Sequence, residues 1–202
     1  MLYIDRASLI GRGRHRECYK HPGNRDLCIK LIVKDSPLEI KREKQYYRHL
    51  QKRGISWDMI PRYYGDAETN LGLGSVFDLI SDHDLTVSKS LEYYLSSEEQ
   101  TEKCYESLSE SLHLLKKYLL DNNIVTMDLK PYNILCQKNE SGISRLFLVD
   151  NIYNSEFIPV SNYSTFFAKR KIARKWQRFE ENILKAYPHN KALRRMLTHD
   201  KR

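Results

Sequence analysis

Apolar positions follow two rhythms along this chain, alternating in short runs near its start and recurring every third or fourth residue later. Residues 2–33 hold short β-type runs parted by Gly11 and Gly13, then by His21-Pro-Gly-Asn-Arg-Asp26, and closed by Leu27-Cys-Ile-Lys-Leu-Ile-Val33. Turn formers between such runs predict an antiparallel meander. Ser36 is placed to cap a helix that starts at Pro37, and over 38–52 the side chains of Ile40, Glu43, Tyr47 and Leu50 share one face. Strand character returns at Ile60-Pro-Arg-Tyr-Tyr64 and Ser75-Val-Phe-Asp-Leu-Ile80, with Gly65, Gly72 and Gly74 as punctuation.

Past the polar stretch Ser81-Asp-His-Asp84 the rhythm changes. Residues 98–122 read as one long helix with Leu108, Leu112, Leu115 and Leu119 on a single stripe. Two short strands follow, around Ile134-Leu135 and Leu146-Phe-Leu-Val149, joined by a turn-rich connection, and 168–186 reads as a last helix. Strands first and helices later predict an α+β fold with its seam near residue 80, so that 1–80 and 81–202 form two parts of one domain. No internal repeat interrupts the pattern.

Composition narrows the class. At 202 residues, with 41% hydrophobic and 30% charged positions, 8 Gly and 6 Pro, the chain is neither fibrous nor largely disordered. No apolar run reaches the roughly 18 residues of a membrane span, and Asp5, Arg6 and Arg12 interrupt the N-terminus where a signal peptide is apolar, so a cytoplasmic location is expected. Cys18, Cys28, Cys104 and Cys136 show no paired metal spacing, so buried, reduced thiols are expected. The net charge of +8 suits a polyanionic partner such as a nucleotide, nucleic acid or anionic lipid, and equally a basic surface facing water.

Four pieces carry candidate chemistry. In Leu9-Ile-Gly11-Arg-Gly13-Arg-His-Arg16, two glycines let backbone amides approach phosphates without a Cβ between. Lys30 stands inside the apolar run Cys28-Ile-Lys-Leu-Ile32, where a buried ammonium needs a phosphate or a carboxylate, and Glu43 on the following helix is the expected partner. The sharpest piece is Asp128-Leu-Lys130-Pro-Tyr-Asn133-Ile-Leu135. The last is Leu146-Phe-Leu-Val-Asp150-Asn151-Ile152, an apolar strand ending in an aspartate.

In this order and spacing the four pieces resemble the protein-kinase-like fold over about residues 9–155. The resemblance implies a β-rich N-lobe, a truncated helical C-lobe, and ATP with Mg²⁺ in the cleft. It gives Asp128 the acceptor's proton, Lys130 the moving phosphoryl group, Asn133 and Asp150 the metal, and Lys30 paired with Glu43 the α/β-phosphates. Gly11, Gly13 and Arg16 would line the phosphates, and the segment 77–80, through Asp78 and Ile80, would hold adenine. The whole chain more closely resembles the PhoP regulatory network protein YrbL family of enterobacterial kinase-like proteins. Gly11-Arg-Gly-Arg-His-Arg16, Cys18-Tyr19, Cys28-Ile-Lys30, Ile60-Pro-Arg-Tyr63, Ile124-Val-Thr-Met127, Leu129-Lys-Pro131 and Asp150-Asn-Ile152 carry that likeness. It implies a magnesium-linked regulatory setting and names no substrate.

Departures from ordinary protein kinases shape what is expected. Arg16 takes the third glycine's place, Thr126-Met127 stand where His-Arg is usual, Asn151-Ile152 follow the metal aspartate, and no Ala-Pro-Glu anchors a peptide platform. A phosphotransferase acting on a hydroxyl of a protein or small molecule is the expected function. The alternatives are a nucleotide-binding regulator of pseudokinase type and a kinase for a small molecule or lipopolysaccharide sugar. In the tail, Ile172, Trp176 and Phe179 form an apolar stripe, with Lys169, Arg170, Arg174, Lys175 and Arg178 around it. Docking of this helix on the core, its charges in water, is expected over binding to nucleic acid or an anionic membrane.

Overall fold

The computed structural model describes residues 1–13, 15–33, 37–154, 161 and 164–199, and within these the chain is α+β. Strands β1 (Leu9–Arg12), β2 (Arg16–Lys20), β3 (Leu27–Ile32), β4 (Tyr63–Thr69) and β5 (Gly72–Asp78) form an antiparallel sheet in the order β1-β2-β3-β5-β4. Helix α1 (Pro37–Arg53) crosses between β3 and β4. The predicted Ser36 cap lies outside the described residues. Gly74 of β5 is fixed by crowding, since a Cβ there would stand 2.4 Å from Ile29 Cγ2.

The second half keeps the expected order of helix, two strands and helix, and adds a short strand and further helices. A small antiparallel sheet of β6 (Lys89–Ser90), β7 (Ile134–Asn139) and β8 (Gly142–Leu148) sits among α2 (Leu91–Leu95), α3 (Glu98–Lys103), α4 (Tyr105–Asp121), α5 (Thr165–Ala186) and α6 (Lys191–His199). The single helix predicted over 98–122 is two, parted at Cys104, whose φ of −111° and ψ of 15° leave the helical range. The turn-rich stretch before Leu146 is the tip of the β7–β8 hairpin, where Gly142 takes a φ of +134°. The strand predicted at 60–64 starts later, at Tyr63, and its register shifts between Tyr63 and Gly65.

Both halves share one core. Tyr47 and Leu50 of α1 and Phe77 of β5 join the leucine stripe of α4 and Ile172, Trp176, Phe179 and Ile183 of α5 in a single apolar cluster. A smaller one, Tyr19, Ile29, Leu31 and Val76 with Ile4, covers the sheet's outer face. Asn190 ties the last helix down, capping the Leu193 amide and donating to the Leu95 carbonyl at 3.0 Å and Thr101 Oγ1 at 2.7 Å. Among the described residues no helix is long and apolar enough to cross a membrane.

The tail helix docks as its stripe predicts, but its charges do not all face water. Lys169, Arg170, Arg174 and Arg178 are exposed. Lys171 is buried, with Nζ donating to Asn154 Oδ1 at 2.6 Å, and Lys175 turns inward to donate to the Met127 carbonyl. Trp176 is 3% exposed and its indole donates to Glu180. Trp176→Ala should destabilise the fold by about 3–5 kcal/mol in urea unfolding, the cost of an emptied aromatic site; a loss under about 1 kcal/mol would mean that α5 is not part of the core.

Candidate functional site

Backbone pairing gathers the chemistry-bearing residues. The Val149 amide donates to the Asn133 carbonyl at 2.9 Å, one step beyond the Ile134–Leu148 register of β7 and β8. The Met127 amide donates to the Asn151 carbonyl, also at 2.9 Å. These two bonds join the stretch that carries Asp128 and Asn133 to the stretch that carries Asp150. Asn151 has a φ of +61°, a left-handed conformation that asparagine tolerates and a bulky aromatic does not, which accounts for its place after Asp150.

The larger sheet supplies the facing wall. Lys30 Nζ donates to the Val149 carbonyl at 2.5 Å and lies 4.7 Å above the Phe77 ring. Its expected partnership with Glu43 is not formed. Arg16 takes Glu43 instead, with a two-pronged guanidinium contact whose second bond, Nη2 to Oε1, is 3.2 Å, and the same group also donates to Asp150. The geometry explains the exchange: a planar, forked donor reaches two carboxylates at once, which a single ammonium cannot. Burial works against charge on Arg16, yet Glu43 and Asp150 outweigh it and hold the guanidinium protonated. Burial likewise opposes ionisation of Asp150, and the charges of Lys30 and Arg16 overcome it, keeping the carboxyl below its usual range.

Helix α1 is held in register with the loop it faces. The Val125 amide donates to Tyr46 Oη at 2.7 Å, and Arg53 donates to the Asn122 carbonyl. Glu43, 3% exposed, therefore reaches the cleft from a helix anchored at two points. Asp128 is half-exposed, takes the Leu129 amide on Oδ1 and has Lys130 Nζ 3.2 Å from Oδ2. Lys175 of α5 approaches the same loop; burial lowers its affinity for a proton and Asp128 partly restores it. A Cβ on Gly11 would meet nothing within 4 Å, whereas Gly13 bonds back to the Arg16 carbonyl at 2.8 Å.

At the far edge, the Asp78 carboxylate points away from the cleft, accepting from the Arg62 amide and the Tyr64 hydroxyl. The Asp78 main chain is engaged too, the amide donating to the Arg62 carbonyl at 3.3 Å and the carbonyl accepting from the Cys28 thiol at 3.5 Å. The Ile80 carbonyl is taken by the Ser88 amide. Sequence reasoning missed Lys171 and Lys175, which reach the loops at 154 and 127. The signal was there: they sit four apart, each one position before a member of the buried pair Ile172 and Trp176.

Among the described residues no three His, Cys, Asp or Glu side chains gather as a metal cluster, so a metal here would rest on Asn133 and Asp150. The donor set is one amide and one ionised carboxylate. Asp150 Oδ1 is occupied by Arg16 and by the Asn151 amide at 3.0 Å, which leaves Oδ2. Two hard oxygens suit Mg²⁺, which keeps several waters and takes its other ligands from phosphate.

Comparison with known proteins agrees with the sequence resemblance. Residues 2–184 match the family described as PhoP regulatory network protein YrbL. The chain is 40% identical over 182 residues to the protein YrbL of Escherichia coli strain K12, covering 89% of this chain and 86% of that one. YrbL of Shigella flexneri matches to the same extent. The chain belongs to the PhoP regulatory network protein YrbL family.

Proposed function

We propose that the chain is a minimal kinase-like protein with two lobes, 1–80 and 81–202, which binds ATP with Mg²⁺ between them and phosphorylates a hydroxyl. The observation that supports this reading is the pairing around 127, 133, 149 and 151, which joins the stretches carrying Asp128, Asn133 and Asp150, with Lys30 bonded to the Val149 carbonyl and Arg16 bridging Asp150 to Glu43. Catalysis in such a site is mostly positioning and charge. Lys30, whose ammonium is held by a neutral carbonyl, gains a stronger partner when phosphates arrive. Asn133 and Asp150 Oδ2 would hold Mg²⁺, which supplies charge neutralisation to the β- and γ-phosphates.

At the acceptor, Asp128 takes the hydroxyl proton as oxygen bonds to the γ-phosphorus and the bond to the β-γ bridging oxygen breaks, releasing ADP. Lys130 sits on the same carboxylate, and its charge would steady the transferred group. Protein and small-molecule acceptors both fit a half-exposed aspartate. The family's description places its members in a PhoP regulatory network, and regulation through a phosphorylated target is consistent with it.

One observation favours a second reading, a nucleotide-binding regulator without turnover. Arg16 already neutralises Asp150, where a metal would do so. In that case the guanidinium, not Mg²⁺, faces the phosphates, and the cleft presents a bound nucleotide to a partner.

Two outcomes are expected. Mg·ATP at about a hundredfold its Kd should raise unfolding stability by about 2.7 kcal/mol in a thermal-shift titration. No rise would contradict both readings. Asp128→Asn should cut transfer from γ-labelled ATP by roughly 10²- to 10⁴-fold with nucleotide affinity unchanged. Equal, background-level transfer by wild type and variant, with ATP bound by both, would favour the regulator.

A further inference from the structure

Two of the four cysteines stand together on the wall of the cleft. In the β2–β3 register Cys18 lies opposite Lys30 and Lys20 opposite Cys28, so the cysteines are diagonal neighbours two positions apart on one face. That face also carries Arg16 and Lys30. Tyr19, Ile29 and Leu31 occupy the other. The Cys28 thiol donates to the Asp78 carbonyl at 3.5 Å. Cys18 is partly exposed, whereas Cys28 is buried.

The surroundings sort the four thiols. The neighbouring Cys28 and the charges of Lys30 and Arg16 draw the Cys18 thiol below its ordinary value, against burial and Asp150. Burial pushes up both Cys104 and Cys136. A partly exposed thiol on a face that carries two cations, one of them directly across the strand pair, is the environment in which cysteines react.

We propose that Cys18 is a covalent modification site, a nucleophilic thiol that exchanges with low-molecular-weight disulfides and whose adduct closes the cleft. The Cys18 thiolate attacks one sulfur of the disulfide, a protein–small-molecule S–S bond forms, the original S–S bond breaks, and the second half leaves as a thiolate; reduction by a free thiol reverses it. Cys18 precedes the fixed carbonyl of Asp78 and the Phe77 ring across the sheet face, so an adduct of more than a few atoms stands where a nucleotide base would lie. This blocking step rests on the proposed nucleotide cleft; the reactivity of Cys18 does not.

The test uses the aromatic disulfide 5,5′-dithiobis(2-nitrobenzoate) on the native protein, with release of the coloured thiolate followed in time and the labelled peptides mapped. One fast phase is expected, assigned to Cys18 and at least about tenfold faster than reaction at Cys104, which is also partly exposed. Cys18→Ser should remove that phase, and Cys28→Ala should leave it in place. Reaction of Cys18 no faster than Cys104 in the wild type would overturn the proposal, whatever the variants do. Mg·ATP should slow the fast phase. A fast phase at Cys18 that Mg·ATP leaves untouched supports the modification site and counts against the nucleotide cleft, so the two ideas fail separately.

Discussion

A single guanidinium joins the three elements that make this cleft. Arg16 leaves β2, forks onto Glu43 of α1 and reaches Asp150 at the end of β8, so the sheet, its helix and the loop beyond the hairpin are tied at one point. Arg16 and Glu43 are largely withdrawn from water, and such charges are costly unless they are paired, whereas the Asp150 side chain is 36% exposed and also takes the Asn151 amide. Removing Arg16 strands Glu43; removing either carboxylate leaves the guanidinium on the other. The usual cost of breaking a buried pair, about 3–5 kcal/mol, gives the scale of the Arg16–Glu43 contact. The same contact sets the chemistry, because whatever enters must either share Asp150 with Arg16 or draw the guanidinium onto its own negative charge.

The tail helix repeats that logic from the opposite side. Its apolar stripe completes the core beside α4, and its two inward lysines reach the loops at 127 and 154. Met127 accepts the Tyr153 hydroxyl on its sulfur at 2.6 Å, while its carbonyl takes Lys175. Residues beyond 164 therefore help to fix the backbone that carries Asp128. Stability of the tail and geometry of the site are one property here.

Much of this was legible before the structure, for reasons that differ by residue. Glu43, Tyr47 and Leu50 share a helix face because period 3.6 demands it, and all three are buried. Asp128 and Asn133 stand out by the spacing of one motif, a local property, and Asp150 by its place after an apolar strand. The partner of Glu43 does not, since Lys30 and Arg16 lie on the same face of neighbouring strands and only side-chain shape chooses between them. The break at Cys104 escaped notice because no glycine or proline marks it. Helix α6 was overlooked although Ala192, Leu193, Met196 and Leu197 repeat at helical spacing, and the inward lysines were hidden by the habit of assigning every cation on a basic helix to water.

Arg16 binds the two halves through Glu43 and Asp150. A double-mutant cycle on Arg16→Met and Asp150→Asn, read by urea unfolding, measures it directly. The account predicts a coupling of about 1.5–3 kcal/mol between the two positions, well above what independent sites show. A coupling within about 0.5 kcal/mol of zero, with each single change nearly neutral, would contradict it.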